Sequence, residues 1–134
     1  MSQDDFDQSL KLDVLAASLR SDNKQSTDLL EALAGILEAA WPNGTNVGRK
    51  GFFLSKEKSV EQILVKFDEY HYEIIKQKHG SIQARSMKIV RGVVLKTSDV
   101  PMDKCIDSIL AELEKLAESN AEARRALNKI VLGM

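Results

Sequence analysis

The chain has 134 residues, of which 43% are hydrophobic and 29% are charged, with a formal net charge of −1 and one cysteine. A chain of this length can bury about two thirds of its unfolded surface, which is enough for two packed layers, and the composition argues against a largely disordered protein. One cysteine excludes an internal disulfide, and no apolar run reaches the roughly 18 residues of a spanning helix, so we expect no membrane insertion.

The acidic residues at the start of the chain are informative about cellular location. Asp4, Asp5 and Asp7 stand where a secretory signal would need basic residues followed by an apolar run. We therefore expect a cytoplasmic protein whose residues 1–8 are flexible. Because no repeat, linker or low-complexity segment divides the sequence, we also expect a single domain over residues 1–134.

The charges are unevenly distributed along the chain. Residues 1–44 carry three basic and eight acidic side chains, residues 45–96 carry eleven and five, and residues 97–134 carry five and seven. A basic middle third can mark an anionic partner, but it can also reflect lysines that keep strands soluble beside glutamate-rich helices. We favour the second interpretation.

Two helices are expected in the first third of the chain. Apolar residues at helical spacing predict one over about residues 9–20 and another over about residues 27–41. Ser26 or Thr27 can cap the second helix, and a Pro-Asn-Gly sequence stops it. Trp41 stands at its end, where we expect a core aromatic side chain rather than a ligand-stacking one.

The next segment, residues 46–58, has the sequence NVGRKGFFLSKEK. Its Gly-Arg-Lys-Gly sequence is not a phosphate loop, because strand-like residues follow it where a phosphate loop has Lys-Ser/Thr and a helix. Since neighbouring strand residues point to opposite faces, only one of its two phenylalanines can enter the core. We interpret the segment as an irregular edge strand. The alternative is a partner-contact loop formed by Arg49, Lys50, Phe52, Phe53, Lys56 and Lys58.

Alternating apolar residues predict an antiparallel hairpin around a two-residue Asp68-Glu69 turn. The buried-face pairs are expected to be Phe67–Tyr70, Val65–Tyr72 and Ile63–Ile74. The outer-face pairs are expected to be Lys66–His71, Leu64–Glu73, Gln62–Ile75 and Glu61–Lys76. A slip by one residue would turn the apolar set towards water, so this pattern specifies the register.

A third strand is expected after a reversal at Gly80. Pairing across that turn predicts the pairs Ile74–Arg85, Tyr72–Met87 and Tyr70–Ile89, which would place Met87 and Ile89 on the buried face. Further along, either Arg91-Gly92 is a turn and another strand returns, or Gly92 is a bulge in one long bent strand. We favour the bent strand, which extends the sheet over about residues 46–96.

The last third of the chain is helical again. A 3-4 apolar stripe predicts a helix over about residues 102–118, and a capping-box sequence predicts a final helix over about residues 120–131. Helices, then consecutive strands, then helices predict an α+β domain: an antiparallel meander of three to five strands, with the N-terminal and C-terminal helices packed on one face.

No recognisable catalytic or metal-binding arrangement occurs in the sequence. The two histidines and the cysteine lack the spacing of a zinc site, and His71 lies on the predicted polar face of a strand with no nucleophile placed beside it. Cys105 falls in a helical apolar stripe, where a small core residue is the ordinary interpretation. We therefore expect a non-enzymatic protein with no catalytic residue, metal or cofactor.

We hypothesise a small accessory domain that binds another protein, or a second copy of itself, through the segment 48–58 or the outer sheet face. The predicted outer face contains Leu64, Lys66, Ile75, Lys88, Val90 and Val94. One alternative is nucleic-acid or polyanion binding by the basic middle third, although the aromatic residues that could stack on bases are predicted to be buried. The second alternative is a small-molecule or lipid carrier.

Overall fold

The structure is a computed structural model, and it describes residues 26–50, 59–78 and 81–132. In chain order the elements are helix α1 (Ser26–Ala40), a 3-10 turn (Pro42–Gly44), strands β1 (Thr45–Lys50), β2 (Ser59–Lys66), β3 (Tyr70–Lys76), β4 (Ile82–Val90) and β5 (Val93–Val100), and helices α2 (Met102–Ser119) and α3 (Ala121–Leu132). This is the expected α+β arrangement. The helix predicted over residues 9–20 and the flexible start lie outside the described residues.

The five strands form one antiparallel meander in the order β1-β2-β3-β4-β5. The predicted β2–β3 register is confirmed: Val65 lies opposite Tyr72 and Ile63 lies opposite Ile74. The Phe67 backbone N–H donates to the Tyr70 carbonyl at 3.0 Å and closes the expected two-residue turn. Alternating apolar residues on both strands, joined by a turn of even length, left one register that buries them all.

The predicted β3–β4 register is wrong by one residue. Ile74 lies opposite Ala84, Tyr72 opposite Ser86 and Tyr70 opposite Lys88. The strands separate after the Lys76–Ile82 pair and are joined by the five residues 77–81, with the Gln77 N–H bonded to the Ser81 carbonyl at 2.8 Å. An odd connection in place of a two-residue turn reverses the faces of β4, so Met87 and Ile89 lie on the outer face.

The preference for a bent strand at Gly92 is also wrong. Arg91 and Gly92 both have positive φ, 53° and 78°, and form a two-residue turn between β4 and β5. Positive φ at both central positions is the requirement of a type I′ turn, whose twist matches that of a β-hairpin. The chain therefore returns as a fifth strand, and the sheet extends to Val100.

The core lies between one face of the sheet and the helices. Helix α1 packs on β1 and β2, α2 packs on β4, and α3 packs on both other helices. The largest fully buried side chains come from every one of these layers: Leu30, Leu33, Leu37, Val60, Ile63, Val65, Ile74, Cys105, Ile106, Ile109, Leu113 and Leu127. Because the three described helices pack against this inner face, the two faces of the sheet differ in composition.

Candidate interaction surface at the β4–β5 hairpin

The most exposed apolar side chains of the described residues lie together in the β4–β5 hairpin. Val90, Val93, Val94 and Leu95 are 43%, 66%, 49% and 66% exposed. We call residues 88–96 the hairpin arm. Large aliphatic side chains that cluster on a surface are typical of a contact with another molecule, whereas single exposed ones are ordinary.

The arm projects past the rest of the sheet. Tyr70 at the start of β3 pairs with Lys88, and the last backbone link is the Ile89 N–H bonded to the Glu69 carbonyl at 2.8 Å. Beyond that link β4 continues to Val90 before its turn. At about 3.3 Å per residue, the turn lies roughly 7 Å beyond Glu69. This projection accounts for the exposure of Val90 and Val93, whereas Val94 and Leu95 lie level with Ile89 and Lys88 on β5, the last strand of the sheet order.

The arm is apolar on both of its faces. Val90 lies opposite Val93 on the inner face, and Ile89 lies opposite Val94 on the outer face. Leu95 falls at a shift in the β4–β5 register, where a bulge adds one residue to β5. A flat surface could cover only one of these two faces. A partner that surrounds the arm would cover both.

The charges of the arm have one sign. It carries Lys88, Arg91 and Lys96 and no acidic residue, and none of the three forms an ion pair with a described residue. Lys88 and Lys96 lie directly opposite each other, and a cross-strand pair of like charges is destabilising. Carboxylates from a bound partner would relieve this repulsion.

The outer edge of the arm belongs to an edge strand. Among the strands that the structure describes, β5 pairs only with β4. Edge strands present unpaired backbone groups that can bind another chain, and charged residues such as Lys96 limit uncontrolled pairing. The edge adds backbone hydrogen-bonding capacity to the apolar and cationic side chains of the arm.

The outer sheet face below the arm is polar. Arg85 contacts Glu73 at 3.9 Å and Asp99 at 3.5 Å. Gln62 donates to Glu73 at 3.1 Å, and Gln83 donates to Asp99 at 3.3 Å. These cross-strand contacts satisfy the polar side chains among themselves, and the apolar residues of the same face, such as Leu64 and Ile75, are less exposed than those of the arm.

The register places the predicted outer-face residues on different sides of the sheet. Leu64, Lys66 and Ile75 lie on the outer face as the β2–β3 pairing requires, and Val94 lies there opposite Ile89. The expectation was wrong for Lys88 and Val90, because the one-residue shift in β4 turns both towards the helix side. Both residues are nevertheless exposed.

The other predicted contact, the segment 48–58, is described only in part. Arg49 pairs with Glu38 of α1 at 2.6 Å, and this hydrogen bond raises the pKa of the guanidinium. Lys50 is exposed at the end of β1. Phe52, Phe53, Lys56 and Lys58 lie outside the described residues. Arg49 therefore joins the first strand to the helix layer.

A pocket of about 200 Å³ lies at the same end of the sheet as the arm, between the β2–β3 turn and α2. Its apolar wall is formed by Trp41, Phe67 and Leu116, and its polar rim by Asp68, Glu69, Glu112, Lys115 and Ser119. Three carboxylates against one ammonium group make the rim acidic. No residue of the arm lines this pocket.

Two titratable groups near the core have shifted pKa values for ordinary structural reasons. Burial raises the pKa of the Cys105 thiol to about 12. Burial also raises the pKa of Tyr72, with a smaller contribution from the nearby Glu112 carboxylate. His71, on the outer face, has a lowered pKa because of partial burial and the adjacent Lys66. A neutral buried thiol is a poor nucleophile, so Cys105 is a core residue.

No group of three or more His, Cys, Asp or Glu side chains in the described ranges is placed to hold a metal ion. Within the same ranges, no helix has both the length and the apolar character needed to cross a membrane. Comparison with protein-family models, curated proteins and solved structures finds no match to the chain.

Sequence reasoning named three residues of the arm, Lys88, Val90 and Val94, as candidate contacts but did not identify the hairpin that groups them. It left open whether Arg91-Gly92 is a turn or Gly92 a bulge, and it favoured the bulge. That preference assigned Val93 and Leu95 to one long bent strand. Only the turn brings these two side chains into one hairpin with Val90.

Proposed function

We propose that this chain is a non-enzymatic interaction domain that binds a protein partner through its hairpin arm. The observation that carries the proposal is the exposure of four aliphatic side chains in one hairpin. At about 25 cal/mol per Å², covering such side chains is a favourable source of binding free energy. The β5 edge, which pairs with no described strand other than β4, supports the proposal, because added strands bind through main-chain hydrogen bonds.

Nucleic acid is a weaker candidate partner. The arm carries three cations, but the bases of a single strand need exposed aromatic side chains on which to stack. Phe67 and Tyr72 are buried, and Tyr70 is packed against the core. Valine and leucine at the centre of the patch suit a protein surface better than a sugar-phosphate backbone.

The test is a capture experiment with a matched pair of variants. Wild-type chain, a Val93→Ser/Leu95→Ser variant, and an Ala39→Ser/Ala111→Ser control are immobilised and exposed to lysate of the native host, with and without nuclease. The control changes two exposed apolar positions on the helices. We expect a specific protein to be recovered by wild type and control and lost from the arm variant.

Two results contradict the proposal. Equal recovery by the arm variant would place the partner on another surface. Recovery that disappears on nuclease treatment and falls steeply with salt would point to nucleic acid. Circular dichroism and thermal unfolding of both variants establish that a loss of binding reflects the surface and not the fold.

A further inference from the structure

The arm and the acidic pocket have complementary character. The arm presents aliphatic side chains with three cations. The pocket presents an apolar wall with an acidic rim, in which Asp68, Glu69 and Glu112 are accompanied by one lysine, Lys115. Electrostatic complementarity of this kind steers association and fixes the orientation of partners. A surface of opposite charge, with an apolar wall like the arm's own side chains, is therefore present on the chain itself.

The arm cannot reach its own pocket. Its strands are held in the sheet beside β3 by the Tyr70–Lys88 pair and by the Ile89–Glu69 hydrogen bond. The pocket lies on the helix side of the β2–β3 turn and contains no arm residue. The complementary surfaces of one chain can meet only between two copies.

The positions of the two surfaces suit a two-fold axis. Both lie at the same end of the sheet, the pocket towards β2 and β3 and the arm at β4 and β5. A two-fold axis at that end brings the same end of a second copy to face it, so an arm-to-pocket contact made in one direction is also made in the other.

We propose that the partner of the arm is a second copy of this chain, in an isologous dimer in which each arm docks into the acidic pocket of the other. This proposal rests on the function proposed above and names the partner. Two equal contacts double the area that one arm can bury. In such a dimer the carboxylates of the facing pocket offset the repulsion between Lys88 and Lys96, and the apolar wall of the pocket covers aliphatic side chains near the tip of the arm.

Charge reversal provides the test. The wild type and the variants Arg91→Glu, Glu112→Lys and Arg91→Glu/Glu112→Lys are examined by size-exclusion chromatography with light scattering over a range of concentrations. We expect the wild type to dimerise, each single variant to raise the dimer dissociation constant at least about tenfold, and the double variant to return to within about threefold of wild type. Recovery by the double variant is a result that mere surface damage does not produce.

Two additional variants separate loss of the arm contact from a general effect of charge and from damage to the turn. Arg125→Glu makes the same charge change on an exposed position of α3 and should leave the dissociation constant unchanged. Lys96→Glu reverses an arm charge outside the turn, so it tests the contact even if Arg91→Glu disturbs the hairpin. Circular dichroism establishes that each variant is folded.

Three outcomes would overturn the proposal: a wild type that is monomeric up to its solubility limit, a dimer indifferent to both arm substitutions, or losses that add in the double variant. None of these outcomes decides the capture experiment, which tests binding of another protein. If Val93→Ser/Leu95→Ser still abolishes recovery of another protein, the arm is an interaction site for that protein and only self-association is excluded.

Discussion

The indole Nε1 of Trp41 donates a hydrogen bond to the backbone carbonyl of Lys66 across 2.8 Å, joining the end of α1 to the end of β2. Gly44 lies against this bond. A Cβ at position 44 would overlap the indole nitrogen and lie 2.6 Å from the Lys66 carbonyl oxygen. Trp41 also lines the acidic pocket, so this contact positions one wall of the pocket.

Replacing Gly44 with alanine should lower the free energy of unfolding by about 2–3 kcal/mol, because the indole must move and a hydrogen bond is lost. Urea unfolding followed by tryptophan fluorescence measures this free energy. Gly35→Ala is the matched control: position 35 lies within α1 with nothing near its missing Cβ, and the substitution should stabilise by about 0.5–1 kcal/mol. Equal effects of the two substitutions would contradict the close approach at position 44.

The carboxylate of Glu31 links α1 to the sheet by accepting the backbone N–H of Val60 at 2.9 Å. This bond lies where the β1–β2 register shifts. Glu31→Ala should lower the free energy of unfolding by about 1–2 kcal/mol, since the partly buried N–H loses its partner. Glu31→Gln keeps an acceptor oxygen and should recover at least half of the loss. Chemical denaturation compares them, and a glutamine variant as unstable as the alanine variant would contradict the role of this bond.

The two-residue turn of the arm predicts that substitutions at Arg91 and Gly92 change the stability in opposite directions. Gly92 has φ of 78° and open space around its Cα, so Gly92→Ala adds backbone strain alone and should destabilise by about 1 kcal/mol. Arg91 has φ of 53°, a conformation that asparagine adopts more readily, so Arg91→Asn should stabilise by about 0.5 kcal/mol. Thermal unfolding measures both changes. If residue 91 were not part of a type I′ turn, Arg91→Asn would not be expected to stabilise the protein.

Burial of the Cys105 thiol predicts a loss of stability at alkaline pH. Its pKa is raised from the usual 9.0 to about 12, so the folded state keeps a proton that the unfolded state releases. This contribution to stability is fully present below pH 9 and is lost as the pH rises from 9 towards 12, at up to about 1.4 kcal/mol per pH unit. The measurement is urea unfolding at intervals across that range.

Cys105→Ala is the control for the alkaline effect. The variant has a lower stability at neutral pH because a buried side chain is shortened, yet its stability should fall less steeply above pH 9. The raised pKa of Tyr72 acts in the same direction and remains in the variant. Identical slopes for variant and wild type would show that Cys105 ionises equally in the folded and unfolded states.

The fold class and the β2–β3 hairpin could be predicted because the relevant signals are local. Apolar residues alternate on both strands, and the two-residue turn leaves one register that buries Ile63, Val65 and Phe67 together. The helices likewise carry 3-4 apolar stripes whose length and end signals agree with α1, α2 and α3 to within one or two residues.

The register of β4 could not be predicted because its own pattern is ambiguous. Ile82 and Ala84 have one parity, while Met87 and Ile89 have the other. Either set could face the core when the strand is considered alone. The structure buries Ala84 beneath the helix layer and directs Met87 outward. The five-residue connection and the packing of α2 decide between the two faces.

The sequence by itself determined the α+β order of elements, the helix stripes and the β2–β3 pairing, since each depends on residues close together in the chain. Only the tertiary structure decided that Val90, Val93 and Leu95 are exposed, and that an acidic pocket lies at the same end of the sheet. The physical reason is that burial of a strand residue depends on where the covering helices stop. That limit is set by contacts between segments distant in sequence.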